Sequence, residues 1–301
     1  MRILSIGNFG HGWDNSICDE EHIAKALEYQ GHVVTRGQRS NETTDYTDLD
    51  YDFILIAQYD GYHPELIYNL KRFNCPLVYW AFDYQADGQE WHEKLIAASD
   101  LYLSKRIADS KYPNWQWLSQ DFAPWFMNRH YEKPERDIDV LFTGSYLPWA
   151  NERNETLAAI DKEFNLEIHS VNEWPEQFKN VQGPVMDTEY TSLVARAKVN
   201  IAIDHTLEAG YWSDRVAQIM ACGGFVMTRY IPLMESRFKD KVIYFYSIED
   251  CLKKLHHYLD NGYQSQAERK VLGSVGYSYA QDNLMVNNRV NDLITIVSSI
   301  L

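Results

Sequence analysis

The feature that most constrains this chain is a repeated pair: a short, almost wholly apolar run followed by a longer stretch of helical period. In the first half the runs are RILSIG (2–7), HVVTRG (32–37), DFILIAQ (52–58), PLVYWAFD (76–83) and DLYLSK (100–105). DFILIAQ is apolar nearly throughout, the pattern of a parallel strand covered on both faces rather than one with a wet side. Helix-like segments separate the runs, such as the one through Ile23, Ala24 and Leu27 that stops at Gly31. Strand, helix, strand at this spacing predicts a doubly wound parallel sheet. The rhythm breaks over residues 109–136, where three prolines and three tryptophans stand without periodicity and read as a linker with an aromatic segment. It resumes at DIDVLFTGS (137–145), then LEIHSV (166–171), VNIAID (199–204), GFVMT (224–228) and VIYFYS (242–247), and the last forty residues look helical. The expectation is an α/β chain of two Rossmann-like domains facing across a cleft. They occupy 1–126 and 137–280, and a closing helix, 281–301, packs back toward the first.

Composition removes several classes. At 301 residues there is chain for two domains of roughly 150 each. No stretch approaches the roughly 20 apolar residues needed to span a bilayer, so no integral membrane segment is expected. The apolar run in MRILSIGNFGHGWDN is too short for a signal-peptide core, so a cytoplasmic protein is expected. Cys18, Cys75, Cys222 and Cys251 are far apart and form no CxxC pair, which argues for reduced thiols and against a zinc site. Net charge is −15, with both halves acidic and no Lys/Arg run. Neither half reads as a basic nucleic-acid module or a polybasic membrane patch.

The most informative stretch is GYWSDRVAQIMACGGFVMTRY, residues 210–230. It reads as a helix capped by Ser213 or Asp214, with Arg215 in its first turn and glycines at its end. A cation there opposes the helix dipole. It makes sense if a diphosphate lies between the guanidinium and the helix amides. The alternative is a surface arginine paired with Asp214 or Glu208.

The string from Gly210 to Phe225, with IPLMESRF (231–238) and VIYFYSIEDCLKKL (242–255), resembles the group 1 glycosyltransferases of GT-B fold, in particular the branch with the CgeB-like spore-maturation proteins. DVLFTGS (139–145) matches that family's opening strand of the C-terminal domain, and YSYAQDNLMVNNRVNDLI (277–294) its closing helix. The resemblance implies a sugar nucleotide bound by the C-terminal domain, acceptor bound by the N-terminal domain, and transfer without a metal or resident cofactor. It places Gly144 and Ser145 by the phosphates, Arg215 on the diphosphate, and Arg153 as a second phosphate contact or else a surface charge. Val185 and Met186 would border the base, with Asp187 and Thr188 capping the next helix; Tyr211, Ser213 and Asp214 complete the donor set. One departure is clear. Related retaining enzymes carry glutamates where this chain has Gln218, toward the donor ribose, and Gly210; an amide still bonds a hydroxyl, without the charge.

The first half must then supply the acceptor side. GNFGHGWDN (7–15) is a glycine-rich loop whose Gly10 lets backbone approach a ligand and which carries His11 and Asp14. His11 has the pKa range to take a proton from a hydroxyl; its alternative is a locally bonded loop histidine. The loop is neither GxGxxG nor a Walker loop. Asp83 ends a strand and points to the same cleft, or else caps the helix near Gln89. Tyr84 stands beside it, and Asp60 and Asp121 are lesser candidates. Trp80, Phe82, Trp91, Trp115, Trp117 and Trp125 fit sugar stacking or, more simply, core. DID (137–139) imitates a metal-binding Asp-x-Asp but sits at a strand mouth suited to a turn cap, and His256-His257 has no metal-ligand partners at suitable spacing.

The expected function is transfer of a sugar from a nucleoside-diphosphate sugar, UDP-linked by preference, to a hydroxyl of a glycan, lipid, protein or modified DNA base, with His11 or Asp83 as base if configuration inverts. A viral DNA-base glycosyltransferase and a non-catalytic nucleotide- or sugar-binding protein of the same fold are the alternatives.

Overall fold

The computed structural model describes residues 1–10, 17–38, 50–57, 68–83, 89–128 and 136–301. The chain divides into two compact units, Met1–Gln120 with Val286–Leu301, and Asp121–Met285.

Unit 1 is built on β1 (Arg2–Gly7), β2 (Val33–Gln38), β3 (Phe53–Ala57), β4 (Leu77–Trp80), β5 (Leu101–Ser104) and β6 (Trp115–Trp117). All are parallel, in the order β2-β1-β3-β4-β5-β6, with Ile3 opposite Phe53 and Ile54 opposite Leu77. Every residue of β3 is buried, as its unbroken apolar run requires of a strand covered on both faces. The core gathers Leu4, Ile6, Ile54, Ile56 and Tyr79 with Leu95 of α2 (Glu90–Ala98). Helix α1 (Asp19–Tyr29) opens on Asp19, Glu20 and Glu21, which complement the dipole, and buries Ile23, Ala24 and Leu27. Gly31, at φ +86, takes the left-handed turn that follows it. The C-terminal helix, Val286–Val297, returns to this unit against α1.

The stretch expected to be linker contains β6. Trp115 Nε1 donates to Ser104 Oγ at 2.9 Å and Trp117 Nε1 to the Lys105 carbonyl at 3.1 Å, which fastens both tryptophans to the end of β5. Three residues are too few to register as a period, so the strand is invisible to pattern reading.

Unit 2 repeats the plan. Its elements are β7 (Ile138–Thr143), α3 (Asn151–Glu163), β8 (Leu166–His169), β9 (Val181–Gln182), α4 (Asp187–Arg196), β10 (Ala197–Ala202) and α5 (Arg215–Ala221). Then follow β11 (Val226–Arg229), α6 (Met234–Phe238), β12 (Ile243–Phe245), α7 (Ile248–Leu259) and α8 (Tyr263–Asn283). The parallel strands run β12-β11-β10-β7-β8-β9. Phe142, Leu157, Ile168, Val199, Ile201 and Phe225 fill the core. The Ser247 side chain accepts from Asp250 N and caps α7. Helix α8 presses on the end of α5 through glycine: a Cβ at Gly273 would lie 2.9 Å from the Gly223 carbonyl oxygen.

The first residues of unit 2 are stitched to its last. Ala123 N donates to the Leu284 carbonyl at 2.8 Å. Asp121, a lesser cleft candidate by sequence, is instead completely buried, its Oδ2 accepting from Trp212 Nε1 at 3.1 Å and Arg237 Nε at 2.6 Å. Its work is structural, because a buried carboxylate persists only when paired and hydrogen-bonded. Asp121→Ala is expected to lower unfolding free energy by about 3 kcal/mol, since it strands a charged partner. Urea denaturation checks this, and a loss under about 1 kcal/mol would be that of an exposed pair.

Candidate functional site

In an open parallel sheet, ligands sit beyond the carboxyl ends of the strands at the point where strand order reverses. In unit 2 that point lies between β7 and β10, the first strand of the unit and the fourth. Arg215 occupies it. Its Nε donates to the Thr143 carbonyl at the end of β7 (2.8 Å), and Nη1 donates to the Ile203 carbonyl just past β10 (3.4 Å) and to Ser213 Oγ (3.2 Å). Asp204 Oδ1 stands 3.6 Å from Nη1 and accepts from Ser213 N at 3.2 Å. Nη2 makes no hydrogen bond among the described residues. A Cβ built on Gly144 would lie 2.9 Å from it, so this nitrogen looks onto the backbone following β7. The alternative pairings of Arg215 with Asp214 or Glu208 are not what holds it.

A second guanidinium stands close by. Arg153, in the first turn of α3, is 4% exposed and donates from Nη2 to the Ser145 carbonyl at 2.7 Å. Its buried Nε has no hydrogen-bond partner. Both guanidiniums lie over the Phe142 ring, 5.2 Å from its centroid for Arg215 and 5.9 Å for Arg153. Arg153 is pushed down to about 10, by burial first and by the Arg215 charge second, while Asp204 opposes the shift. At that value it stays protonated at neutral pH. Two cations thus line one wall beside the Asp204 carboxylate, which is 8% exposed. Such a wall suits an anion with several oxygens.

The other residues of the expected donor set have partners of their own. Gly144, at φ +154, donates its N–H to the His169 carbonyl at 2.9 Å. Asp214 holds the position before α5 with helical backbone and makes no capping bond. Its carboxylate accepts instead from Gln218 Nε2 one turn on, because an i, i+4 partner on the same face captures it. Gln218 is half-buried and gives its Nε2 to this bond. Tyr211, 2% exposed, lies beneath the loop with its ring edge-on to His205. Val185 packs partly on Leu141 and Leu193. Asp187 and Thr188 do not cap α4: Met186 holds the N-cap position without a side-chain bond, and Asp187 is the first helical residue at φ +48.

In unit 1 the order β2-β1-β3 puts the reversal between β1 and β3. Gly10, exposed at φ +107, follows β1, and its carbonyl accepts from Cys18 Sγ at 3.4 Å. Buried Glu20 braces the same loop by accepting from Asn8 N at 3.1 Å. Asp83 is exposed just beyond β4 and does not cap α2, which begins after Gln89 without a side-chain bond. His11, Asp14, Asp60 and Tyr84 lie outside the described residues.

The decoys are tied up in ion pairs. Asp137 accepts from Arg196 at 2.5 Å and Asp139 from Lys198 at 2.6 Å, so these two brace the start of β7 rather than cap a turn. His256 faces Glu163 at 2.6 Å and His257 faces Glu268 at 2.7 Å. Among the described residues no cluster of three His, Cys, Asp or Glu side chains is placed to hold a metal, and no helix is long and apolar enough to cross a membrane. Sequence reading passed over Asp204 and Phe142. Asp204 carried the signal that picked out Asp83, an acid closing an apolar strand, in VNIAID.

Two parallel sheets clothed in helices, with strand order reversing at the centre of each, define the GT-B glycosyltransferase fold, and solved structures match it along almost the whole chain. HepE from Anabaena, in complex with UDP and glucose, matches at TM-score 0.68 and 12% identity over 99% of this chain and 100% of its own. Sucrose-phosphate synthase from Thermosynechococcus elongatus matches at TM-score 0.66 and 11% identity over 99% and 98%. An alpha-glucosyltransferase in complex with UDP and a 13-mer DNA containing an HMU base matches at 0.68 and 12% over 99% and 99%. At such identities the likeness is one of fold. Residues 152–295, a little under half of the chain, match the family described as Glycosyl transferase-like; the stretch begins beside Arg153 and includes Asp204, Arg215 and Gln218. No curated protein sequence matches the chain.

Gly144→Ala tests the close approach around Arg215. The new Cβ would lie 2.9 Å from Nη2 and 3.1 Å from the Phe142 ring. Strained backbone and the contact together are expected to cost about 1–2 kcal/mol by urea unfolding. Unchanged stability would mean that the arginine does not lie against this loop.

Proposed function

We propose that the protein is a glycosyltransferase whose unit 2 binds a nucleoside-diphosphate sugar, UDP-linked, with the diphosphate on Arg215 and Arg153. The observation that carries this reading is the division of labour within Arg215. Nε and Nη1 are spent on the carbonyls that end the two central strands, and Nη2 is left toward Gly144 at the switch point. A guanidinium fixed in this way needs little reorganisation to meet charge building on a leaving diphosphate. Buried Arg153 adds a second positive charge, so the residues themselves supply the stabilisation that a metal supplies elsewhere. The backbone of Gly144 and Ser145 approaches the phosphates, Met186 borders the base, and Gln218 Oε1 accepts from a ribose hydroxyl. Ser213 and Asp214 hold the loop that positions Arg215. Within the Glycosyl transferase-like family, the run Gly210–Arg215 supports placement in the CgeB-like branch.

Unit 1 binds the acceptor, with Gly10 and Asp83 at the carboxyl edge of its sheet. Asp83 or His11 takes the acceptor's proton if configuration inverts. A modified DNA base is the second reading of the acceptor. The DNA-bound alpha-glucosyltransferase of like fold favours it, and the net charge of −15 weighs against it.

The test is turnover of UDP-sugars, by transfer or by hydrolysis, in the wild type, Arg215→Ala and Arg215→Lys. The alanine variant is expected to lose roughly 100- to 1,000-fold in kcat/KM, the usual effect of deleting one preorganised donor at a developing charge. Lysine should recover only part, because it keeps the charge without the planar fork. Donor turnover equal to wild type in Arg215→Ala would remove the assignment.

A further inference from the structure

Arg215 and Arg153 form a like-charged pair that the fold itself holds together. Burial keeps Arg153 away from water, and the bonds to Thr143 and Ile203 keep Arg215 from swinging out. Something must offset their repulsion in the free protein. Asp214 turns its carboxylate toward Gln218, and the carboxylate that stands within ion-pair distance of Arg215 is that of Asp204, just past the end of β10. Asp204 is buried, lies 3.6 Å from Arg215 Nη1, and fixes the loop before α5 through the Ser213 N–H at 3.2 Å. Its charge also acts on Arg153, in the direction opposite to that of Arg215.

From this geometry we infer that Asp204 is a positioning residue, the built-in counter-ion that keeps the two guanidiniums assembled in the free protein and competes with a bound diphosphate for their charge. The inference rests on the reading of this wall as a diphosphate site. Its consequence is a sign opposite to the usual one for a site mutation. Removing the carboxylate raises the energy of the free site, where two cations then face each other uncompensated. It also lowers the energy of the occupied site, where carboxylate and phosphate no longer repel. Both changes tighten anion binding, and slower release of the product diphosphate follows. A residue that merely shaped the loop would do the reverse, weakening binding as stability falls.

The probe is inorganic pyrophosphate, titrated calorimetrically into the wild type, Asp204→Asn and Asp204→Glu. Asparagine can still accept from Ser213 N while carrying no charge, and glutamate keeps the charge. Asp204→Asn is expected to bind pyrophosphate at least fivefold more tightly while melting at a lower temperature without ligand, and Asp204→Glu to stay within twofold of wild type. Equal or weaker binding by Asp204→Asn, or no binding by any of the three, overturns the role. Should Asp204→Asn fail to fold, adding Arg153→Gln removes the surplus charge and is expected to restore a folded protein; continued failure likewise overturns it. UDP and UDP-glucose, titrated into the wild type alongside, judge the donor reading separately: pyrophosphate bound without either would sink that reading and leave the counter-ion standing.

Discussion

The account depends on one side chain bridging two strand ends. Strand order reverses between β7 and β10, so the chain leaves the sheet in opposite directions there and the carbonyls of Thr143 and Ile203 lack the continuing ladder. Arg215 supplies the missing donors from Nε and Nη1. A planar fork with five N–H groups does this and still has donors to spend, which a lysine does not. The same bonds that close the top of the sheet therefore leave Nη2 facing Gly144, where the proposed diphosphate would lie. In this reading one residue carries both the structural bond and the proposed chemical role.

Much of unit 2 serves to keep that bridge in place. Trp212, the neighbour of Ser213, is buried and anchored through its indole N–H to Asp121, which Arg237 holds in turn. The loop carrying Ser213 is thereby fixed from beneath by Trp212 and from the side by Asp204. Helix α5 is only seven residues long, and α8 clamps its far end through Gly273 against Gly223. Gly144 leaves room on the remaining side. A short helix of this kind draws its rigidity from packing rather than from its own hydrogen bonds.

The fold was legible because its signal is redundant. Ten apolar runs, each flanked by helix-period segments, specify two doubly wound sheets even if one run is misread. What escaped were β6 and β9, of three and two residues, which have no period to detect. The site was half legible. Arg215 stood out by opposing the helix dipole at its own position, a local conflict of the kind that points to a candidate site. Its true partners did not, because Thr143 and Ile203 contribute backbone carbonyls, whose placement depends on strand order rather than on residue type. The capping roles read for Ser213, Asp214, Asp187 and Thr188 went astray for a related reason: caps are inferred from residue preference, and here Gln218 captured Asp214 while Asp187 became the first residue of α4, with left-handed backbone. Asp121 reads from the sequence as a lesser cleft candidate, and only its burial tells that it is scaffold.

The central claim is geometric, so a crystal structure of the protein with UDP tests it most directly. The account predicts a diphosphate oxygen about 2.7–2.9 Å from Arg215 Nη2, the span of a charge-assisted hydrogen bond, with Nε still on the Thr143 carbonyl. A diphosphate bound elsewhere, with Nη2 untouched, would contradict it.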